Sequence, residues 1–212
     1  MRGFDRDFFW DSHIEEIRRT LRLFSATDSL GQDISPDQAF ERWKEHTLAI
    51  RENRKTIYLI GNGASASMAS HISADLAKNA QIHTEVFSDL SLITAVANDL
   101  SFEQVFAEPL RRRMAEGDLL VAISSSGQSP NVLNAAREAM MRGGLVITLS
   151  AMRPDNLLRS SGMLNFYIPA ARYGLAETCH AAVLHYWIDL VVGELHLRAK
   201  RQERAPVLEM MK

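Results

Sequence analysis

The stretch from Leu119 to Val132, Leu-Leu-Val-Ala-Ile-Ser-Ser-Ser-Gly-Gln-Ser-Pro-Asn-Val, leaves the chain few ways to fold. A short apolar run rich in branched residues stops at three serines and a glycine, and Pro130 then opens a helical pattern. That order reads as a buried parallel strand, a tight turn and a helix N-terminus. Proline sits where a helix can spare its N–H. Free N–H groups and the positive end of the helix dipole attract an anion. Hydroxyl donors without a lysine point to a phosphate held on a substrate rather than one transferred from a nucleotide. A serine-rich turn with a structural role alone fits the same residues.

Around this unit the chain alternates strands and helices. Thr56–Ile60 reads as a strand leading into the turn Gly61-Asn62-Gly63-Ala64-Ser65 and a helix. Further strands are expected at Thr84–Phe87, Asp118–Ile123, Leu145–Leu149 and Asn165–Ile168. Helices are expected at Leu90–Ala97, Phe102–Met114 and Pro130–Arg142, with a long one from about Leu175 to Ala199. The alternation predicts an α/β fold, a three-layer αβα sandwich around a mainly parallel five-stranded sheet. Ligands of such sheets sit beyond the carboxyl ends of the strands, where both turns lie. Residues 1–55 read as a helical extension, with Ile14, Ile17, Leu21 and Phe24 at helical spacing and Ser35-Pro36-Asp37 opening a second helix. That extension is expected to pack on the core, 56–200, and on partner subunits; a polar tail is expected over 201–212.

Of the 212 residues, 46% are hydrophobic and 24% charged, and the formal net charge is −2. Such a chain can bury a sizeable core and carries no overall basic field, which argues against nucleic acid as a partner. The basic runs at Arg111–Arg113 and Arg198–Arg204 read as solvated helix faces. No apolar run is long enough to span a membrane, and the first ten residues lack the apolar core of a signal peptide. One cysteine, Cys179, excludes an internal disulfide and fits a reducing, cytoplasmic setting.

Three groups of residues carry potential chemistry. The Gly61–Ser65 turn permits close backbone approach and adds Asn62 and Ser65 as polar contacts, but has no P-loop lysine. His71 and Asp75 stand four apart on the helix that follows and share a face. They fit a metal, an acid/base pair or a plain surface contact. The last helix carries Glu177, His180 and His185 among apolar residues, where a buried charge needs a partner. His180 reads as a hydrogen-bonded packing residue.

Taken in order, Gly61-Asn62-Gly63-Ala64-Ser65, His71 and Asp75, Asn98-Asp99 and Ser124–Ser129 resemble the sugar isomerase (SIS) domain family, over roughly residues 40 to 197. The pairing of His71 and Asp75 with Glu177 and His185 is similar to the phosphoheptose isomerase branch of that family. The resemblance implies a homotetramer that interconverts sedoheptulose 7-phosphate and D-glycero-D-manno-heptose 7-phosphate through an enediol. It implies that Ser124, Ser125, Ser126 and Ser129 hold the phosphate. It further implies that Asn62, Gly63, Ser65, Asp99 and Glu177 contact substrate, that Asp75 and His185 are the catalytic pair, and that His71, Asp75, Glu177 and His185 bind Zn2+.

The chain departs from the branch in four places. Asp75 stands where the branch has Glu, Glu177 where it has Gln, Gly174 where it has an acid, and Asn79 where it has Arg. Asp75 has the shorter reach, and Glu177 adds a negative charge that favours a bound cation. These departures leave room for an isomerase of another sugar phosphate. A second rival is a non-catalytic SIS-domain protein of the replication-initiator-binding type. Proteins of that type lose the helix acid and the final His, and this chain keeps both.

Overall fold

The computed structural model describes residues 9–209, and of residues 202–209 the backbone alone. Helix α1 (Trp10–Arg22) precedes two short strands, β1 (Ser25–Asp28) and β2 (Asp33–Ile34), and then α2 (Pro36–Glu52). The alternating core follows: β3 (Thr56–Gly61), α3 (Ala64–Asp75), β4 (His83–Val86), α4 (Leu90–Asp99), α5 (Ala107–Arg113) and β5 (Leu119–Ser124). It closes with α6 (Pro130–Met141), β6 (Leu145–Ala151), β7 (Leu164–Ile168) and α7 (Tyr173–Glu209). The strands form one sheet in the order β2-β1-β7-β6-β5-β3-β4.

The strands from β4 to β7 pair in parallel, as the alternation predicts. The sheet has seven strands rather than five, because β1 pairs antiparallel with both β7 and β2. The segment expected to be all helix thus contributes a hairpin that covers the free edge of β7, where unpaired N–H and C=O groups would otherwise lie open. Asp28 shapes its turn. Its Oδ1 accepts the N–H groups of Leu30 at 2.9 Å and Gln32 at 3.0 Å, and Gly31 takes a φ of 75°. The single helix expected over Phe102–Met114 is also broken. A 3-10 turn at Phe102–Gln104 gives way to α5 through Val105 and Phe106, whose side chains are buried in the core.

Every residue of β5 is buried, which is why its sequence is continuously apolar as far as Ile123 rather than alternating. On one face of the sheet α2 and α7 meet through Trp43 and Trp187, stacked at 4.1 Å, and the Trp187 Nε1–H donates to Thr47 Oγ1 at 2.9 Å. On the other face Leu110 of α5 and Val132, Ala135, Ala136 and Ala139 of α6 pack beside Tyr58, Leu120 and Ala122. Ser35 caps α2 in a reciprocal box with Gln38, an arrangement worth about 1 kcal/mol. The apolar residues of α2 are consumed by this core, whereas α1 leaves Trp10 and Ile14 exposed.

The basic run Arg111–Arg113 is spent on acids: Arg111 bonds Glu108 and Glu138, Arg112 bonds Glu108, and Arg113 bonds Glu85. Among the described residues no helix is long and apolar enough to cross a membrane. Helix α7 continues without a break past residue 201 to Glu209. Residues 210–212 of the expected tail lie outside the described residues.

Candidate functional site

β3 and β5 are adjacent and in register, with Gly61 opposite Ile123, so the glycine and serine turns leave the sheet side by side. Between them lies a cavity of ≈ 160 Å³ lined by Asn62, Ser65, Ile123, Ser124, Ser125, Ser126, Ser129, Tyr173 and Glu177. Two glycines make its walls possible. Gly63 has φ 56° and ψ −123°, a conformation open to residues without a Cβ. Gly127 has φ 62°, and a Cβ there would lie 1.9 Å from Asn156 Oδ1.

The serine turn is tied internally. Ser124 Oγ lies 3.2 Å from Ser129 Oγ and 3.5 Å from Ser126 Oγ, and it accepts the Gly127 N–H at 3.2 Å. Ser125 is buried and its Oγ has no hydrogen-bond partner in the protein. The two turns are joined by a reciprocal amide pair: Asn62 Nδ2 donates to Asn131 Oδ1 at 3.0 Å, and Asn131 Nδ2 donates to Asn62 Oδ1 at 2.8 Å.

Three helices start at this cavity. Ser65 is the second residue of α3, Ser129 immediately precedes α6, and Tyr173 is the first residue of α7. Neither Gly63 nor Ser129 caps its helix with a side chain. Among the described residues the lining holds one charged group, Glu177, and no Lys or Arg. Hydroxyls, helix N-termini and the absence of a fixed cation suit an anion held by hydrogen bonds.

Further along α3 and α7 a second group of residues assembles. One ligand atom each from His71, Asp75 and His185 lies within 4.8 Å of the other two. His71 Nε2 is 3.4 Å from Asp75 Oδ2, and the His71 and His185 rings meet edge to face at 5.2 Å. Both imidazoles are exposed and Asp75 is half-buried. Just past Asp75 the helix widens into a π turn, Leu76–Ala80, a feature often found beside functional residues.

The expected zinc set is therefore brought together in part. Glu177 lies eight residues before His185 on one helix, a rise of about 12 Å, and faces the serine cavity instead. Asp99 lies at the end of α4, exposed, and accepts the Asn98 Nδ2–H at 2.9 Å. It lines neither the serine cavity nor a neighbouring apolar cavity of ≈ 190 Å³ that Gly61, Asn62 and Gly63 share with Phe87, Ile93 and Phe106. Three residues of this region were not singled out from sequence. Tyr173 stayed hidden because the helix begins two residues before its expected start at Leu175. Asn131 acts through Asn62, distant in sequence, although it directly follows the proline of the serine motif; Asn156 bonds only nearby backbone and reaches the serine turn by standing against Gly127.

The remaining groups nearby are inert. Burial pushes the Cys179 thiol up to about 11 and the His180 imidazole down to about 4. His180 is the buried, hydrogen-bonded residue its sequence context suggests, with Nε2 3.2 Å from Ser150 O.

A mainly parallel α/β sheet with an anion-suited cavity at its carboxyl edge and a His/Asp/His cluster beside it is the architecture of a ligand-binding α/β protein. A family model described as SIS domain matches residues 33–151, and the chain belongs to the SIS domain family. Phosphoheptose isomerase from Halorhodospira halophila is 31% identical over 193 residues, 85% of this chain and 94% of the relative. The phosphoheptose isomerase of a Bradyrhizobium species is 41% identical over 153 residues, 64% of this chain and 77% of the relative. Among solved structures, phosphoheptose isomerase from Neisseria gonorrhoeae superposes with a TM-score of 0.72 at 26% identity, covering 85% of this chain and 95% of its own.

Proposed function

We propose that this chain is a sugar-phosphate aldose–ketose isomerase that interconverts sedoheptulose 7-phosphate and D-glycero-D-manno-heptose 7-phosphate. The observation that carries the reading is the cavity at three helix starts. It offers a phosphate hydroxyls and N–H groups, and the two helices bordering it carry a carboxylate and two imidazoles further on. The phosphoheptose isomerase relatives support the choice of sugar. The enzyme is read as cytoplasmic.

In this reading Ser124, Ser125, Ser126 and Ser129 hold the phosphate, with Asn62, Gly63 and Ser65 at the glycine turn and Glu177 contacting the sugar; Asp99, outside both cavities, is given no contact. Asp75 takes the proton from C1 of the ketose and returns it to C2. His185 gives a proton to O2 and takes one from O1, so the substrate passes through an enediol and no net proton is gained or lost. Two imidazoles and a carboxylate are a donor set that suits zinc, and His71, Asp75 and His185 would hold it. A zinc ion bound there would supply Lewis-acid polarisation of the carbonyl. Because the rise of α7 separates Glu177 from His185, we read Glu177 as a contact for the sugar beside the serine turn rather than as a ligand of that ion, and the enzyme as a homotetramer. The test is conversion of sedoheptulose 7-phosphate by the purified protein, with and without a chelator. Conversion that chelator slows supports the reading; a protein that binds the sugar phosphate without converting it overturns it.

A further inference from the structure

His180 is fully buried, yet a hydrocarbon side chain would fill its place more cheaply. Its Nε2 lies 3.2 Å from Ser150 O, which makes that nitrogen the N–H donor, while Nδ1 is buried with no hydrogen-bond partner in the protein. A half-satisfied polar ring in a core costs stability relative to an apolar one. Residues that break such a rule tend to be held for function.

The position of the bond gives a reason. One turn before His180 on α7 stands Glu177, and one turn before that Tyr173, both lining the serine cavity. On the sheet side, Ser150 is the register partner of Ser124 across β5 and β6, and the next residue, Ala151, donates its N–H to Ser125 O at 3.0 Å. The path from the α7 wall of the cavity to its serine floor is thus His180, the Ser150–Ala151 backbone and Ser125. Trp187 and Arg198 tie α7 to α2; His180 ties it to the sheet at the level of the cavity.

We propose that His180 is a positioning residue for the phosphate cavity, fixing the start of α7 against the serine turn. The inference rests on the cavity being the phosphate site. It makes no use of the imidazole as acid or base.

The experiment compares His180→Leu with His180→Gln, whose amide can still donate to Ser150 O. Inorganic phosphate and sedoheptulose 7-phosphate are titrated against the full-length protein, and melting temperature, KM and kcat are recorded. Loss of one hydrogen bond that aligns the site is expected to weaken phosphate binding and raise KM about tenfold in the leucine variant. Its kcat should stay within about twofold, and its melting temperature should change little, since removing the half-satisfied ring gains stability while the Ser150 carbonyl loses a donor. The glutamine variant should bind within about threefold of the unsubstituted protein. A leucine variant with unchanged phosphate affinity overturns the proposal. So does a pair of variants that lose binding only in proportion to lost stability. If the leucine variant does not fold, the glutamine variant decides: near-normal binding supports the positioning role, and weakened binding with normal melting overturns it. Phosphate binding without turnover in the unsubstituted protein would fault the isomerase reading and leave this one standing. No phosphate binding at all would remove the cavity assignment on which both depend.

Discussion

The serine cavity and the His71/Asp75/His185 cluster are built on the same two helices in opposite ways. The cavity is a product of backbone: strand ends, two left-handed glycines and three helix starts, with hydroxyls already bonded to one another. The cluster is a product of side chains alone, two of them exposed, whose arrangement follows from spacing on α3 and from the packing of α3 on α7. The contrast separates holding from reacting. In the proposed function, hydroxyls and helix starts hold an anion without a fixed cation, whereas groups that move protons need freedom to meet a substrate carbon.

Replacing the reacting groups should break the comparison most sharply. Asp75→Asn or His185→Ala is expected to lower turnover by about a thousandfold, with phosphate affinity unchanged in titration. A matching loss of phosphate affinity would merge the two regions into one. Damage to the cavity should appear instead as lost stability. Gly127→Ala places a Cβ against Asn156 in a left-handed backbone, and denaturant unfolding should show a loss of about 3 kcal/mol.

Acid provides a graded version of the same test. His180 has a folded pKa of about 4, below its unfolded value of 6.5. The unfolded chain therefore binds the extra proton between those values, and stability falls as pH drops through that window. The loss should reach up to about 3 kcal/mol near its lower end. His46, also held low by burial, adds in the same direction. A flat melting temperature from pH 7 to pH 4.5 would contradict this, and His180→Leu should flatten the profile in part. The smallest effect belongs to single hydroxyls: Ser129→Ala should weaken phosphate binding about fivefold by calorimetry, with kcat retained.

What sequence revealed follows the same division. The parallel strands and their turns were legible because burial on both faces imposes continuous apolar runs, and because glycine and serine have a physical reason to stand after them. The β1–β2 hairpin was not. Ser25–Asp28 and Asp33–Ile34 are short and mostly polar, and they are strands because β7 offers an edge, a tertiary cause that no local pattern records. At the site, His71 and Asp75 could be paired from their spacing. The approach of His185 to them, and the parting of Glu177 towards the serines, depend on how α7 lies across α3. Tyr173 escaped because α7 starts two residues before its expected start, and the Asn62–Asn131 pair because it depends on the adjacency of β3 and β5.

That amide pair also limits how this family member can change. The two asparagines are unequal: Asn131 is buried and Asn62 is exposed, so losing Asn62 leaves a buried amide short of a partner, while losing Asn131 leaves one that water can reach. A lineage altering this cradle by single steps therefore meets a steeper step when position 62 changes first than when position 131 does. For positions 62 and 131, sixty-nine residues apart, the order of change is therefore expected to matter.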